Sequence, residues 1–557
     1  MGIETEYGIL QPGRPMANPM LLSSHVIAAH VPARAGSRSR ARWDYDDEDP
    51  LHDARGYRLQ RAAAHPSMLT NDPTRLAPAV DVMPVDVRPA PGGPERLQEL
   101  ARPMVEEYDD PSAANVILTN GARLYVDHAH PEYSSPEVTG PLDGVLWDRA
   151  GELVMLASVR SLAQSSALPE VALYKNNVDG KGATYGTHEN YLVERAVPFA
   201  DLARRITSFL VTRQVFTGAG RVGIGQRGET PGFQLSQRAD YIEAEVGLET
   251  TLRRPIVNTR DEPHADPARW RRLHVIIGDA NMVQPATFLK LGTTSLVLWL
   301  LEQGLPGAGG AAAARALAAI DRLALTDPVG AVRTVSHDVA LAARLDLVDG
   351  RRLTALEIQH EYLAAVRAAL GLGRTGAAEM PAAQGVPDAE TGDVLARWAS
   401  ILDRLGADPA SCAREVEWLA KLRLLEGLRR RDHLAWDHPR LAAVDLQWSD
   451  LRPERGLYFR LLEAGAIERM VDEDSAERAA VHPPADTRAY FRGEAMARYS
   501  GDISAASWDS IVFDVPGAPT LQRVPMRDPL RGTRAHVGAL LDRSPDARSL
   551  LAALAGP

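Results

Sequence analysis

The stretch NGARLYVDHAHPEYSSP, residues 120–136, limits the fold more than any other part of the chain. Arg123, Tyr125 and Asp127 alternate with apolar Leu124 and Val126. A two-residue period belongs to a strand whose side chains point to opposite faces. An arginine, a phenol and a carboxylate therefore share one face, with His130 and Glu132 just beyond. The first residues, MGIETEYGIL, repeat the theme: Ile3, Thr5 and Tyr7 fall on one face, Glu4 and Glu6 on the other. Alone, that segment would also suit an exposed edge strand, but a second polar-faced strand shifts the balance. Burying paired carboxylates without a counter-charge costs several kcal/mol. A cation shared by Glu4, Glu6, Tyr125 and Glu132 removes the cost, and two or more Mg²⁺ ions along a sheet suit the handling of ATP phosphates. Asp127 reads either as a further metal ligand or as a nucleophile or general base beside the metals.

Size and charge bound the alternatives. The chain has 557 residues, enough for one large domain plus an appendage or for two to four ordinary ones. Its formal charge is 62 − 73 = −11, so no nucleic-acid partner is expected. Cys412 is the single cysteine, which rules out an intrachain disulfide and cysteine-based metal sites. Any metal must then sit on carboxylates, His, Tyr or water, which suits Mg²⁺ better than structural zinc. The first ten residues carry two glutamates and no basic segment, so no secretory leader is expected. No apolar run reaches about 18 residues, so no membrane span is expected, and the reading is of a cytoplasmic protein.

Along the chain, a strand over 1–10 precedes a helical run near 21–35. Residues from about 37 to 90 differ in character: WDYDDEDP (43–50) leads into a Pro-rich tail, and the whole reads as a long mobile insertion. Trp43 and the Asp46–Glu48 cluster within it are candidates for a gate over the site. A helix is expected at about 95–108, another over 146–164, and a strand around 170–174. Residues 286–431 read as mostly helical, and a short α/β tail follows from about 488. Strands first and helices later predict an α+β chain, with a catalytic domain over 1–485 and a small C-terminal domain over 486–557.

Other candidates are single residues. His188, Glu189 and Asn190 follow a Gly-rich turn, and His274 follows Arg271 and Arg272. Either histidine, as a neutral imidazole near the carboxylates, would complete a metal shell. Arg238, Arg253, Arg254 and Arg260 offer forks for phosphate or carboxylate. Gly218, Gly220 and Gly223 match G-x-G-x-x-G, but the continuation GIGQRGETPG is unable to open a helix, so dinucleotide binding is not expected.

MGIETEYG, NGARLYVDHAHPEYSSPE, YKNNVDGKGATYGTHENY, FQLSQRADYIE, NTRDEPHAD, RRLHVIIGDANM and DPLRGTRAHVGALLD together resemble the Pup ligase/Pup deamidase family across essentially the whole chain. The family contains a ligase that attaches the protein tag Pup to lysines, and a deamidase/depupylase. This sequence is similar to the second branch: it reads DHAHPEYSSPE where ligases have DVGSHPEYAT, carries MANPMLLSS after the first strand, and contains the insertion RARWDYDDEDPLHDARGY that ligases lack.

The resemblance implies a glutamine-synthetase-like fold, with a curved antiparallel sheet as an open cradle packed on helices, ATP at one end and the Pup C-terminus entering from the other side. It implies ATP, or ADP plus phosphate, and Mg as cofactors, and Pup and pupylated proteins as partners. Glu4, Tyr125 and Glu132 match its magnesium ligands, and Glu6, His188 and His274 match further positions at the metal–phosphate site. Arg123, Ser135 and Trp508 match nucleotide contacts. Arg238 and Arg260 would hold phosphate or the terminal glutamate of Pup. Asp127 matches the essential aspartate, which either attacks the carbonyl or deprotonates a water. The implied activity is hydrolysis of the C-terminal Gln amide of Pup and of the Pup–lysine isopeptide bond. The alternatives are a Pup–protein ligase, a non-catalytic Pup-binding protein and, from the fold alone, a glutamate-cysteine-ligase-like activity.

Overall fold

A computed structural model describes residues 1–14, 16–30, 41–46, 48–65, 97–100, 115–165, 168–372 and 388–555. Much of the expected 37–90 insertion, at 37–40, 47 and 66–90, lies outside the described residues.

The alternating segments pair with one another. Gly2–Glu6, Asn115–Ile117, Arg123–Asp127, His130–Ser134, Thr187–Glu194 and Trp270–Val275 form a six-stranded sheet. Its order is 270–275, 187–194, 2–6, 130–134, 123–127, 115–117, and every pairing is antiparallel. The strand at the chain start thus lies in the sheet centre, paired on both sides. Helices Pro141–Ala163 and Gln284–Glu302 cover the back face. The first comes so close that a β-carbon at Gly151 would stand 2.3 Å from the Tyr133 ring. The other face keeps its polar residues.

Most of the other expected elements hold in outline. The first helix spans Pro19–Ala28; Pro19 opens it, and the Asn18 side chain accepts from the Met20 and Leu21 amides. The expected extension to 31–35 lies outside the described residues. The long apolar pattern after 284 becomes the helices Gln284–Glu302, Gly310–Asp321, Pro328–His337, Ala355–Ala369, Ala389–Ala407 and Glu417–Asp432. The glycines of the G-x-G-x-x-G match run into the strand Arg221–Ile224, paired with Thr230–Gln234, and open no helix. The chain is α+β, as its sequence predicts.

One expectation fails. The helix placed at about 95–108 is, over Gln98–Leu100, a strand; 101–114 lies outside the described residues. That strand is an edge of a second, five-stranded sheet of order 42–43, 503–506, 510–513, 521–525, 98–100. The C-terminal segment therefore borrows one edge strand, Arg42–Trp43, from the region read as an insertion and the other, Gln98–Leu100, from the segment read as a helix. Trp43 is buried in the same apolar cluster as Phe491, Met496, Tyr499, Phe513 and Leu550. Among the described residues no helix is long and apolar enough to cross a membrane.

Candidate active site: two donor clusters on one sheet face

The strand register sets the site. Glu4 lies opposite His188 on one side and Ser134 on the other, Glu6 opposite Glu132, and Glu132 opposite Tyr125. Asp127 lies opposite His130, and Asn190 opposite His274. Directly opposed residues in an antiparallel pair share a face, so four carboxylates, a phenol and three imidazoles converge from five strands.

Two clusters emerge. In Glu4, His188 and His274, one donor atom from each residue lies within 4.8 Å of the others, and the same holds for Glu6, Asp127 and Glu132. The first is cross-linked: His188 Nδ1 is 3.2 Å from Glu4 Oε2, and Asn190 Nδ2 donates to Glu4 Oε1 at 2.9 Å. The Asn190 carbonyl in turn accepts from Arg272 at 2.9 Å and lies 2.9 Å from His274 Nδ1. The second is mostly acid against acid. Glu132 Oε1 accepts from the Tyr125 hydroxyl at 2.6 Å and from Ser134 at 3.2 Å, and Glu6 Oε2 accepts from the Gly186 amide at 2.8 Å.

The electrostatics follow. Burial, then the fields of Asp127, Glu4 and Glu6, push the Glu132 carboxyl well above its ordinary range. Burial works the same way on Glu4, but His188 and Arg272 outweigh it and hold that carboxyl low. Asp127 also ends low: burial is overcome by His128, with His188 and Arg260 adding to it. Burial, then Glu132 and Asp127, raises Tyr125 well above the usual phenol range, so it is the protonated partner of its bond to Glu132. Burial with Arg272 and His188 keeps His274 a neutral imidazole.

The structure sorts the remaining candidates. Arg123 stacks between two aromatic rings, with Cζ 3.9 Å from the centroids of both Trp43 and Tyr125, and it donates to the Tyr45 hydroxyl at 3.1 Å. Trp508 meets Trp43 edge-on at 5.2 Å. These five form an aromatic–guanidinium layer at the end of the acidic row nearest Arg123. Arg238 is fully buried; Nη1 donates to the Thr187 and Gly278 carbonyls at 3.1 and 3.3 Å, while among the described residues Nε and Nη2 find no hydrogen-bond partner. Arg260 lies 3.7 Å from Glu262, and its buried Nε also lacks a hydrogen bond. Ser135 spends its hydroxyl on the backbone, accepting from Ile3 N at 3.0 Å and donating to Pro136 O at 3.2 Å. Its neighbour Ser134 is the serine that reaches the acidic row. A two-residue step forward from Glu132 along the same strand would have found it. Glu189, grouped in the sequence with His188 and Asn190, points to the back face, where Arg213 binds it at 2.5 and 2.8 Å. The segment is a strand there, and odd positions face the core.

Known proteins give this geometry its context. Residues 1–512 match the family model described as Pup-ligase protein. The chain is 51% identical over 556 residues to a protein named depupylase from Acidothermus cellulolyticus, covering 100% of this chain and 99% of that one. It is 51% identical over 543 residues to the Pup deamidase/depupylase of Mycobacterium tuberculosis, covering 97% and 96%. A solved structure of a Pup ligase in complex with ADP is 33% identical, with a TM-score of 0.64 over 77% of this chain and 89% of that one. A family match over more than nine-tenths of the residues, with relatives this similar from end to end, means that the chain belongs to the Pup-ligase protein family.

Proposed function

We propose that the chain is a hydrolase of the Pup system, acting on the side-chain amide of Pup's C-terminal Gln and on the isopeptide bond between Pup and a lysine. The full-length relatives named for these activities support the reading. The observation that carries it is the convergence of Glu4, Glu6, Asp127, Glu132, Tyr125, His188 and His274 on one sheet face. Pup and pupylated proteins are the partners. The ADP-bound relative supports a nucleotide cofactor.

The donor set fits divalent cations. Three acids that face one another in the second cluster need positive charge between them, and oxygen-rich donors select a hard ion such as Mg²⁺. Glu4, His188 and His274 would hold one ion; Glu6, Glu132 and Tyr125 would hold another. Bound there, Mg²⁺ would neutralise nucleotide phosphates and polarise the scissile carbonyl. Arg238, with two buried donors free, would bind phosphate or the carboxylate of the Pup terminus, together with Arg260. Arg123 and the ring of Trp508 would flank the nucleotide, with Ser135 fixing the strand end beside them. The cytoplasm, where ATP is held, is the compartment that this reading requires.

Asp127 supplies the electron pair. It is held as the anion, and both open routes need that form: attack on the carbonyl carbon, or removal of a proton from a water that attacks instead. Either way the C–N bond breaks, water's oxygen ends in the carboxylate of Pup's Glu, and the nitrogen leaves as ammonia or the lysine amine after gaining a proton. Net hydrolysis consumes no ATP, so nucleotide acts as a cofactor. The test is ammonia release from Gln-terminated Pup by Asp127→Ala, with ATP binding measured alongside: release should stop while binding persists. Turnover by that variant would remove Asp127 from its role. Asp127→Asn is less clean, because the new amide could itself be hydrolysed.

A further inference from the structure

We propose that His128 is a positioning residue for Asp127, fixing the carboxylate's orientation for hydrolysis; the inference rests on the role given to Asp127 above. Asp127 ends the strand Arg123–Asp127, and only His128 and Ala129 separate it from the strand His130–Ser134. An aspartate at a strand end turns about two side-chain bonds, and its neighbours decide which rotamer it keeps. The other acids of the row are held by groups from elsewhere: Glu132 by Tyr125 and Ser134, Glu4 by Asn190, and Glu6 by the Gly186 amide. Among the described residues, the close contact to the Asp127 carboxylate comes from its own turn. His128 Nδ1 lies 2.9 Å from Asp127 Oδ2.

The backbone adds an independent sign. His128 has φ +53°, in the left-handed region that favours glycine and, after it, asparagine, aspartate and histidine. A short two-residue connection could have been built with glycine and no strain. The β-carbon is kept at a position where it is disfavoured, and its ring lies against the carboxylate two routes of hydrolysis depend on. Backbone strain held beside a reacting group points to a function for the side chain that is strained. With 42% of the His128 side chain and 32% of the Asp127 side chain exposed, the contact sits at the lip of the site, where water would otherwise let the carboxylate swing.

Three variants separate the backbone from the side chain. His128→Gly relaxes the turn and removes the contact. His128→Ala removes the contact and keeps a β-carbon. His128→Asn tolerates the left-handed backbone and places an amide N–H the same number of bonds from the main chain as Nδ1. Each is assayed as the full chain with Gln-terminated Pup, ATP and Mg²⁺, reading kcat and KM separately, with Asp127→Ala in parallel. The Gly and Ala variants are expected to lose about 10–100-fold in kcat, the cost of a carboxylate displaced by about 1 Å, with KM for Pup within about 2-fold of the parent. His128→Asn is expected to restore kcat to within about 3-fold. A glycine variant with parental kcat, or an asparagine variant as slow as alanine despite an unchanged melting temperature, overturns the proposal. If Asp127→Ala itself turned over, the underlying assignment of Asp127 would be wrong; if it is inactive while His128→Gly is not, only the positioning role falls.

Discussion

The two faces of the six-stranded sheet carry acids under opposite regimes. On the back, three buried carboxylates each have a cation in contact. Glu189 is bound by Arg213, and Asp148 and Glu152 share Lys175 at 2.6 and 2.7 Å. Arg149 adds a second contact to Glu152 at 2.5 Å. On the front, Glu6, Asp127 and Glu132 face one another, and Glu132 finds only a phenol and a hydroxyl. A protein that pairs these acids with lysine and arginine on one side of a sheet leaves Glu132, among the described residues, without a cation in contact on the other, where burial drives its carboxyl upward. Paired acids hold the scaffold, while opposed acids would gain from a cation placed between them.

The sharpest way to break this contrast is at Asp127. Asp127→Ala should lower amide hydrolysis on the order of 10³-fold or more, the scale expected when a positioned base or nucleophile is lost, with folding and nucleotide binding retained. The next largest effect concerns the cations. Glu132→Gln removes the most disfavoured charge of the front face, so the Mg²⁺ concentration giving half-maximal activity should rise about 10-fold or more. Without metal, that variant should melt no lower than the parent, because the opposed charges have been relieved. Mg²⁺ should then raise its melting temperature less than the parent's. Superimposable Mg²⁺ titrations of the two proteins would show that the acidic cluster is not where the ion acts.

The front face was legible in the sequence because strands announce themselves with period two. Arg123, Tyr125 and Asp127, and separately Glu4 and Glu6, alternate with residues of the other face, and the register joins them as that pattern requires. The back face was not legible. Lys175 and Glu152 are 23 residues apart and Arg213 and Glu189 are 24 apart, so nothing local pairs them. The edge strands at 42–43 and 98–100 were equally hidden: strands of two and three residues are too short to show a period, and their partners lie more than 400 residues away. Tyr45 at the Arg123 guanidinium escaped notice because 78 residues separate the two.

The scaffold side of the contrast should respond in stability rather than in chemistry. Arg213→Met would leave Glu189 as an uncompensated buried charge, which costs about 3–5 kcal/mol. The denaturant midpoint should fall accordingly, while kcat per folded molecule stays near the parent's. An unchanged midpoint would mean that Glu189 is not held as an ion by that contact.

A smaller effect belongs to Glu137, which ties the end of the catalytic sheet to the helix Ala489–Tyr499 and its leading Arg488. Arg488 Nε lies 2.7 Å from one oxygen and Arg492 Nη1 3.3 Å from the same one. Burial opposes ionisation, but the two guanidinium groups hold the Glu137 carboxyl down at about 2, against an ordinary 4.5. The folded value lies below the unfolded one, so the unfolded chain binds the proton first. The stabilisation is therefore complete above pH 4.5 and drains away as the pH falls toward 2, for a total of about 3 kcal/mol. Glu137→Gln keeps the shape and removes the charge, so the stability gap between parent and variant in urea should be widest at pH 7 and narrow steadily below pH 4.5. A gap of the same width at pH 7 and pH 3 would assign the loss to altered packing, and this junction would then leave the class of acid–cation pairs that the back face defines.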